Sequence, residues 1–120
     1  MKASKARKTG SGRQETGPRI VFVTVPSIRE GRRIAKSVVA KRLAACVNLL
    51  LAPVSSIYRW KEKVEVANEY FLVIKTTASG YAALEKEIAR MHSYDVPEIV
   101  ALPITAGLPK YLAWLRESVG

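Results

Sequence analysis

The chain has 120 residues, 48% apolar and 25% charged, which is enough for one domain with a buried core and too few for two. Its single cysteine, Cys46, excludes an internal disulfide framework, and no apolar run reaches the roughly 18 residues a membrane-crossing helix needs. The net charge of +10 divides in half: residues 1–19 carry six Lys/Arg against one acid (+5), and residues 20–120 carry fourteen against nine (+5).

Residues 1–19 therefore read as a disordered basic tail that cannot bury enough apolar surface to fold, with the domain over residues 20–120. Without the apolar stretch of a secretory signal, the expected location is cytoplasmic. A basic, acid-poor tail also has the composition of an organelle transit remnant, so chloroplast or mitochondrial targeting stands beside it.

Residues 20–25 form a β-branched and aromatic run closed by Pro26, the pattern of a strand buried on both faces. Ser27 and Glu30 have capping-box spacing, in which each side chain satisfies a backbone N–H of the first helical turn. Behind them Ile34, Ala35, Val38, Val39 and Leu43 recur at helical spacing, with Arg and Lys on the outer face. Residues 46–60 read as extended with a break at Pro53, residues 61–63 as a turn, and residues 64–77 as a second long strand, so the two make a hairpin. Thr77 or Ser79 can cap a second helix whose apolar positions are Tyr81, Leu84, Ile88 and Met91. A strand is expected over residues 98–105, and Pro109 suits the first position of a final helix anchored by Tyr111 and Trp114.

The order is β-α-β-β-α-β plus a C-terminal helix, an α+β ferredoxin-like sandwich with both helices on one sheet face. Two helices cover only that face, yet the strands are apolar on both. A homo-oligomer is expected to bury the other, and a dimer and a trimer satisfy this argument equally.

Chemistry concentrates on residues 91–102. Pro97 ends the preceding helix near His92 and places His92, Tyr94, Asp95 and Glu98 on one loop. An imidazole beside a thiolate or carboxylate, His92 with Cys46 or Glu98, suits copper or zinc. No CxxC or HxxxH pair preforms such a site in one subunit, and a lone histidine is more often structural. Cys46 itself reads first as a small buried hydrophobe. Tyr58, Trp60, Tyr70 and Phe71 could line a cleft, although aromatics on paired strands usually pack across the pair. Lys75 could contact an anion or snorkel from a strand end. No G-x-S-x-G serine or phosphate-cradling glycine motif accompanies the single histidine, which argues against nucleophilic hydrolysis and against nucleotide-phosphate binding. The basic charge lies on the tail and one helix rather than beside an RNA-recognition signature, which argues against a nucleic-acid partner.

The segments Lys41-Arg-Leu-Ala-Ala-Cys-Val-Asn48, Ser56-Ile-Tyr-Arg-Trp60, His92-Ser-Tyr-Asp-Val-Pro-Glu-Ile99, Ala101-Leu-Pro-Ile104 and Tyr111-Leu-Ala-Trp114, with Glu69 leading an apolar strand to Lys75, resemble the CutA family of divalent-cation tolerance proteins. The resemblance spans residues 20–118. It implies a ferredoxin-like subunit in a homotrimer, PII-like in architecture, with long hairpins extending the sheets between subunits. It also implies a non-enzymatic response to metal ions, weak copper binding, no organic cofactor, and a protein partner or small anionic metabolite as alternative ligands. Carried over by motif, His92, Cys46 and Glu98 are metal candidates, and Tyr94, Tyr58, Trp60, Glu69 and Lys75 line a pocket or the intersubunit region. Two positions depart from the family pattern: Glu62 stands where a turn glycine is usual, and Ser93 replaces a proline between His92 and Tyr94.

Overall fold

The computed structural model describes residues 16–120. Of the disorder expected over residues 1–19, residues 1–15 lie outside the described residues, while Pro18 and Arg19 stand in β1. The elements are β1 (Pro18–Val25), α1 (Ile28–Ala40), β2 (Cys46–Leu49), β3 (Val54–Trp60), β4 (Lys63–Thr77), α2 (Ala78–Met91), β5 (Ile99–Pro103) and α3 (Pro109–Glu117). The antiparallel sheet runs β2-β4-β1-β5, and β3 pairs with the first half of β4, giving the expected ferredoxin-like arrangement with a hairpin and a C-terminal helix. The break at Pro53 separates β2 from β3, and both lie against the 15-residue β4.

β1 begins two residues earlier than its apolar run, because Pro18 and Arg19 find register partners in Thr77 and Thr76. β5 is shorter than expected and stops at Pro103, which faces Arg19 near the start of β1; beyond it there is almost no partner strand to pair with.

Alternation in β1 sends Val21, Val23 and Val25 inward, where they meet Leu72 and Ile74 of β4, Ile34 and Val38 of α1, and Leu84 and Ile88 of α2. Gly31 lets α1 settle onto this layer: a Cβ there would stand 3.0 Å from Leu49 Cδ1 and 3.1 Å from Val25 Cγ2. On the opposite face Phe22 and Phe71 meet edge to face at 6.1 Å, while Val100 and Leu102 of β5 stay exposed.

The helix caps follow the sequence in part. Thr77 Oγ1 accepts from Gly80 N–H at 3.0 Å, and Ser27 Oγ accepts from Glu30 N–H at 3.1 Å. The Glu30 carboxylate does not reach back to complete the capping box. It accepts instead from the N–H (2.9 Å) and hydroxyl (3.1 Å) of Ser93, two donors that the loop after α2 brings to it.

α3 differs more. Leu115 is its one buried residue and lies outside the main core cluster; Tyr111 and Trp114 pack against each other at 5.4 Å and remain partly exposed, so they do not anchor the helix to the core. The end of α3 and the residues after it are held by Arg42, whose guanidinium donates to Glu117 O and Gly120 O at 2.6 Å each. Arg42 itself has φ 60° just past the end of α1, and Leu43 N–H closes on Val38 O at 2.9 Å in the manner of a Schellman cap. Trp60 pairs with Lys63, leaving a two-residue loop in which Lys61 and Glu62 have φ 49° and 72°. The tight turn thus forms without the usual glycine.

Candidate functional site: an acidic, aromatic cleft

Pro97 and the end of α2 place residues 92–98 beside the start of the hairpin. His92 caps α2, its N–H bonding Ile88 O at 2.9 Å, and its ring turns inward. Nε2 lies 2.8 Å from Thr24 O, and Nδ1 accepts the Tyr94 N–H at 3.1 Å. A carbonyl can only accept, so these partners assign the proton to Nε2 and leave both ring nitrogens engaged. Glu30 Oε2 stands 3.4 Å from Nδ1. A metal at either nitrogen would displace one of these bonds.

Tyr94 leaves the loop over the His92 ring, with centroids 4.8 Å apart, and its phenol donates to Glu69 Oε2 at 2.9 Å. Burial, and then the hydrogen bond and charge of Glu69, push the Tyr94 phenol up to about 12. Glu69 is only 6% exposed and sits where β4 leaves β3 for β1: it faces Val54, while the next residue, Tyr70, faces Val25.

Around this pair opens a cleft of about 690 Å³. Ile57, Tyr58 and Trp60 of β3 form one wall, Tyr94 to Glu98 the other, and Thr24 and Glu69 lie between them. Of the residues singled out in the sequence, Tyr58, Trp60, Glu69, Tyr94 and Glu98 therefore meet. Tyr70 and Phe71 do not: Tyr70 packs on the main core and Phe71 on Phe22.

Cys46 and Lys75 are register partners on β2 and β4 and do not line the cleft. The Cys46 thiol lies 3.7 Å from the Tyr111 hydroxyl, whose pKa is raised by burial and then by the thiol, and Lys75 Nζ donates to Asn48 Oδ1. Among the described residues no three His, Cys, Asp or Glu side chains are close enough to hold a metal ion, so His92, Cys46 and Glu98 are not gathered within one chain. Sequence reading missed the parts played by Glu30 and Thr24. Glu30 gave only the signal of a helix cap, and Thr24 contributes a backbone carbonyl that no side-chain pattern reveals.

Comparison with known proteins adds four findings. A family model described as CutA1 divalent ion tolerance protein matches residues 19–118. The chain is 48% identical over 101 residues to the divalent-cation tolerance protein CutA of Thermus thermophilus, covering 84% of this chain and 97% of that one. It is 46% identical over 99 residues to the chloroplastic protein CutA of Arabidopsis thaliana, covering 82% of this chain and 54% of the plant protein, so it spans about half of that relative. The solved divalent cation tolerance protein from Thermus thermophilus superposes with a TM-score of 0.84 at 47% identity, over 86% of this chain and 99% of that one.

Proposed function

Because the chain belongs to the CutA1 divalent ion tolerance family, we propose that it serves in the response to divalent metal ions, copper above all, as a homotrimer that binds the ion weakly and catalyses no reaction. The observation that carries this is the family match over nearly the whole described domain. Two features of the chain support it. Val100 and Leu102 leave apolar area on the sheet face opposite α1 and α2, which association of subunits would bury. The candidate donors are dispersed in one chain, so an ion site would be completed between subunits, with Cys46 and Glu98 the reachable donors and His92 entering only by giving up Thr24 O or Tyr94 N–H.

Sedimentation and calorimetry test this together, using protein with a blocked N-terminal amine. The expected result is a trimer at micromolar concentration and saturable Cu(II) binding, weakened at least tenfold by Cys46→Ser or Glu98→Gln. A folded monomer, or binding equal in all variants, overturns it.

A second reading, a PII-like signalling or scaffold trimer, draws on the metabolite-sized cleft. Its anionic-metabolite version fits poorly, because Glu69, Asp95 and Glu98 line the cleft and, among the described residues, no lysine or arginine does. Among the described residues no helix is long and apolar enough to cross a membrane. Cytoplasmic residence is the simplest location, with organelle import as the alternative that the plant relative's printed name suggests.

A further inference from the structure

The chain carries a net charge of +10, yet its cleft is acidic. Glu69, Asp95 and Glu98 line it, and among the described residues none of the three takes part in an ion pair. Glu69 is the most buried, and the hydrogen bond it receives comes from a neutral phenol. A buried carboxylate without a counter-cation is costly unless a cation arrives from outside.

Cross-strand aromatic pairing does not account for the aromatic wall. Across the hairpin Tyr58 faces Glu65 and Trp60 faces Lys63, so neither meets an aromatic partner, and they remain 44% and 43% exposed. The Trp60 ring already receives one cation: the Lys61 ammonium lies 5.8 Å from its centroid. Rings of this kind attract organic cations through their negative faces. Ile57, Val96 and Pro97 add apolar surface beside the carboxylates.

A bare metal ion uses neither the aromatic rings nor the apolar wall. It needs converging oxygen, nitrogen or sulfur donors, and the cleft is far larger than an ion. We propose that the cleft binds an organic ammonium ion, its charged head between the Tyr58 and Trp60 rings and the Glu69 and Glu98 carboxylates, its alkyl part against Ile57, Val96 and Pro97. This goes beyond the metal-ion reading and does not rest on it, since neither aromatic ring is a metal donor.

The test is an NMR titration of the full chain in its solution assembly, following the Trp60 indole N–H. The probes are tetramethylammonium and 1,4-diaminobutane, with tert-butanol as neutral and succinate as anionic control. Saturable shifts with a Kd at or below about 1 mM are expected for at least one ammonium probe and for neither control. Trp60→Leu and Glu69→Gln should each weaken that binding at least tenfold, the Glu69→Gln effect being read on the Trp60 signal and the Trp60→Leu effect by calorimetry. Absence of saturable shifts, equal shifts with tert-butanol, a preference for succinate, or unchanged affinity in Trp60→Leu overturns the proposal. Cu(II) binding measured on Trp60→Leu separates the two readings: that variant removes no metal donor, so its copper response reports on the metal site alone.

Discussion

The phenol of Tyr94 and the carboxylate of Glu69, 25 residues apart in sequence, meet at 2.9 Å and tie the loop after α2 to the middle of β4. Removing the hydroxyl with Tyr94→Phe leaves a nearly buried carboxylate oxygen without that donor. Urea unfolding should show a loss of about 2 kcal/mol. Glu69→Gln, which can still accept from Tyr94, should cost less.

The same contact predicts alkaline behaviour. The phenols of Tyr94 and Tyr81 are raised from the ordinary 10.0 to about 12, each first by burial and then by a hydrogen-bonded glutamate, Glu69 and Glu85 respectively. A raised folded value favours the protonated phenol in the native state. The stability they contribute is therefore complete below pH 10 and lost as pH rises through 12. Absorbance titration of tyrosinate should show one fewer late-ionising phenol in Tyr94→Phe than in the parent.

Acid acts through a different group. Glu87, with a side chain 13% exposed, is lowered from 4.5 to about 2, first by its hydrogen bond from Arg90 and then by that from Lys41. Its contribution is present above pH 4.5 and disappears as pH falls through 2. Between those limits Glu87→Gln should show a shallower fall of melting temperature with acid than the parent.

At the hairpin tip Lys61 and Glu62 hold left-handed backbone without glycine. Glu62→Gly should relieve that strain and raise stability by about 1 kcal/mol, the gain reduced by glycine's greater freedom when unfolded. A lower melting temperature would refute it.

Arg42 combines a left-handed φ of 60° with two guanidinium bonds to Glu117 O and Gly120 O. Arg42→Ala loses those bonds and keeps the strain, so it should destabilise by about 2 kcal/mol and speed amide exchange in α3. Arg42→Gly loses the same bonds but relaxes the backbone, so it should be the milder change.

Local chemistry made most of the fold legible. Ser27, Thr77, Pro97 and Pro109 mark helix ends through groups within a few residues of each other, and the hairpin follows from two apolar runs around a polar turn. Contacts that depend on distant packing were not legible. Nothing near His92 shows that Thr24 O and Tyr94 N–H occupy both ring nitrogens. Nothing near Glu30 shows that Ser93 will claim its carboxylate in place of the cap. For α3, helical periodicity showed an apolar side but not what lies against it, so Tyr111 and Trp114 remain partly exposed. The cleft was visible only as a set of residue types: strand and loop placement suggested Tyr58, Trp60, Tyr94 and Glu98, the family resemblance added Glu69, and the β3–β4 register with the Tyr94–Glu69 contact brings them together.

β4 is one uninterrupted strand, about 50 Å long at some 3.4 Å per residue. Its first half carries the hairpin and its second half is clamped between β1 and β2. Mechanically it is a cantilever: the clamped half is the mount, the hairpin is the arm, and Glu69 is the point from which the arm projects. The wall bearing Tyr58 and Trp60 rides on the arm, while the wall bearing Tyr94 is fixed to the mount. A sideways load on the hairpin tip therefore changes the width of the cleft, and a body wedged in the cleft deflects the tip.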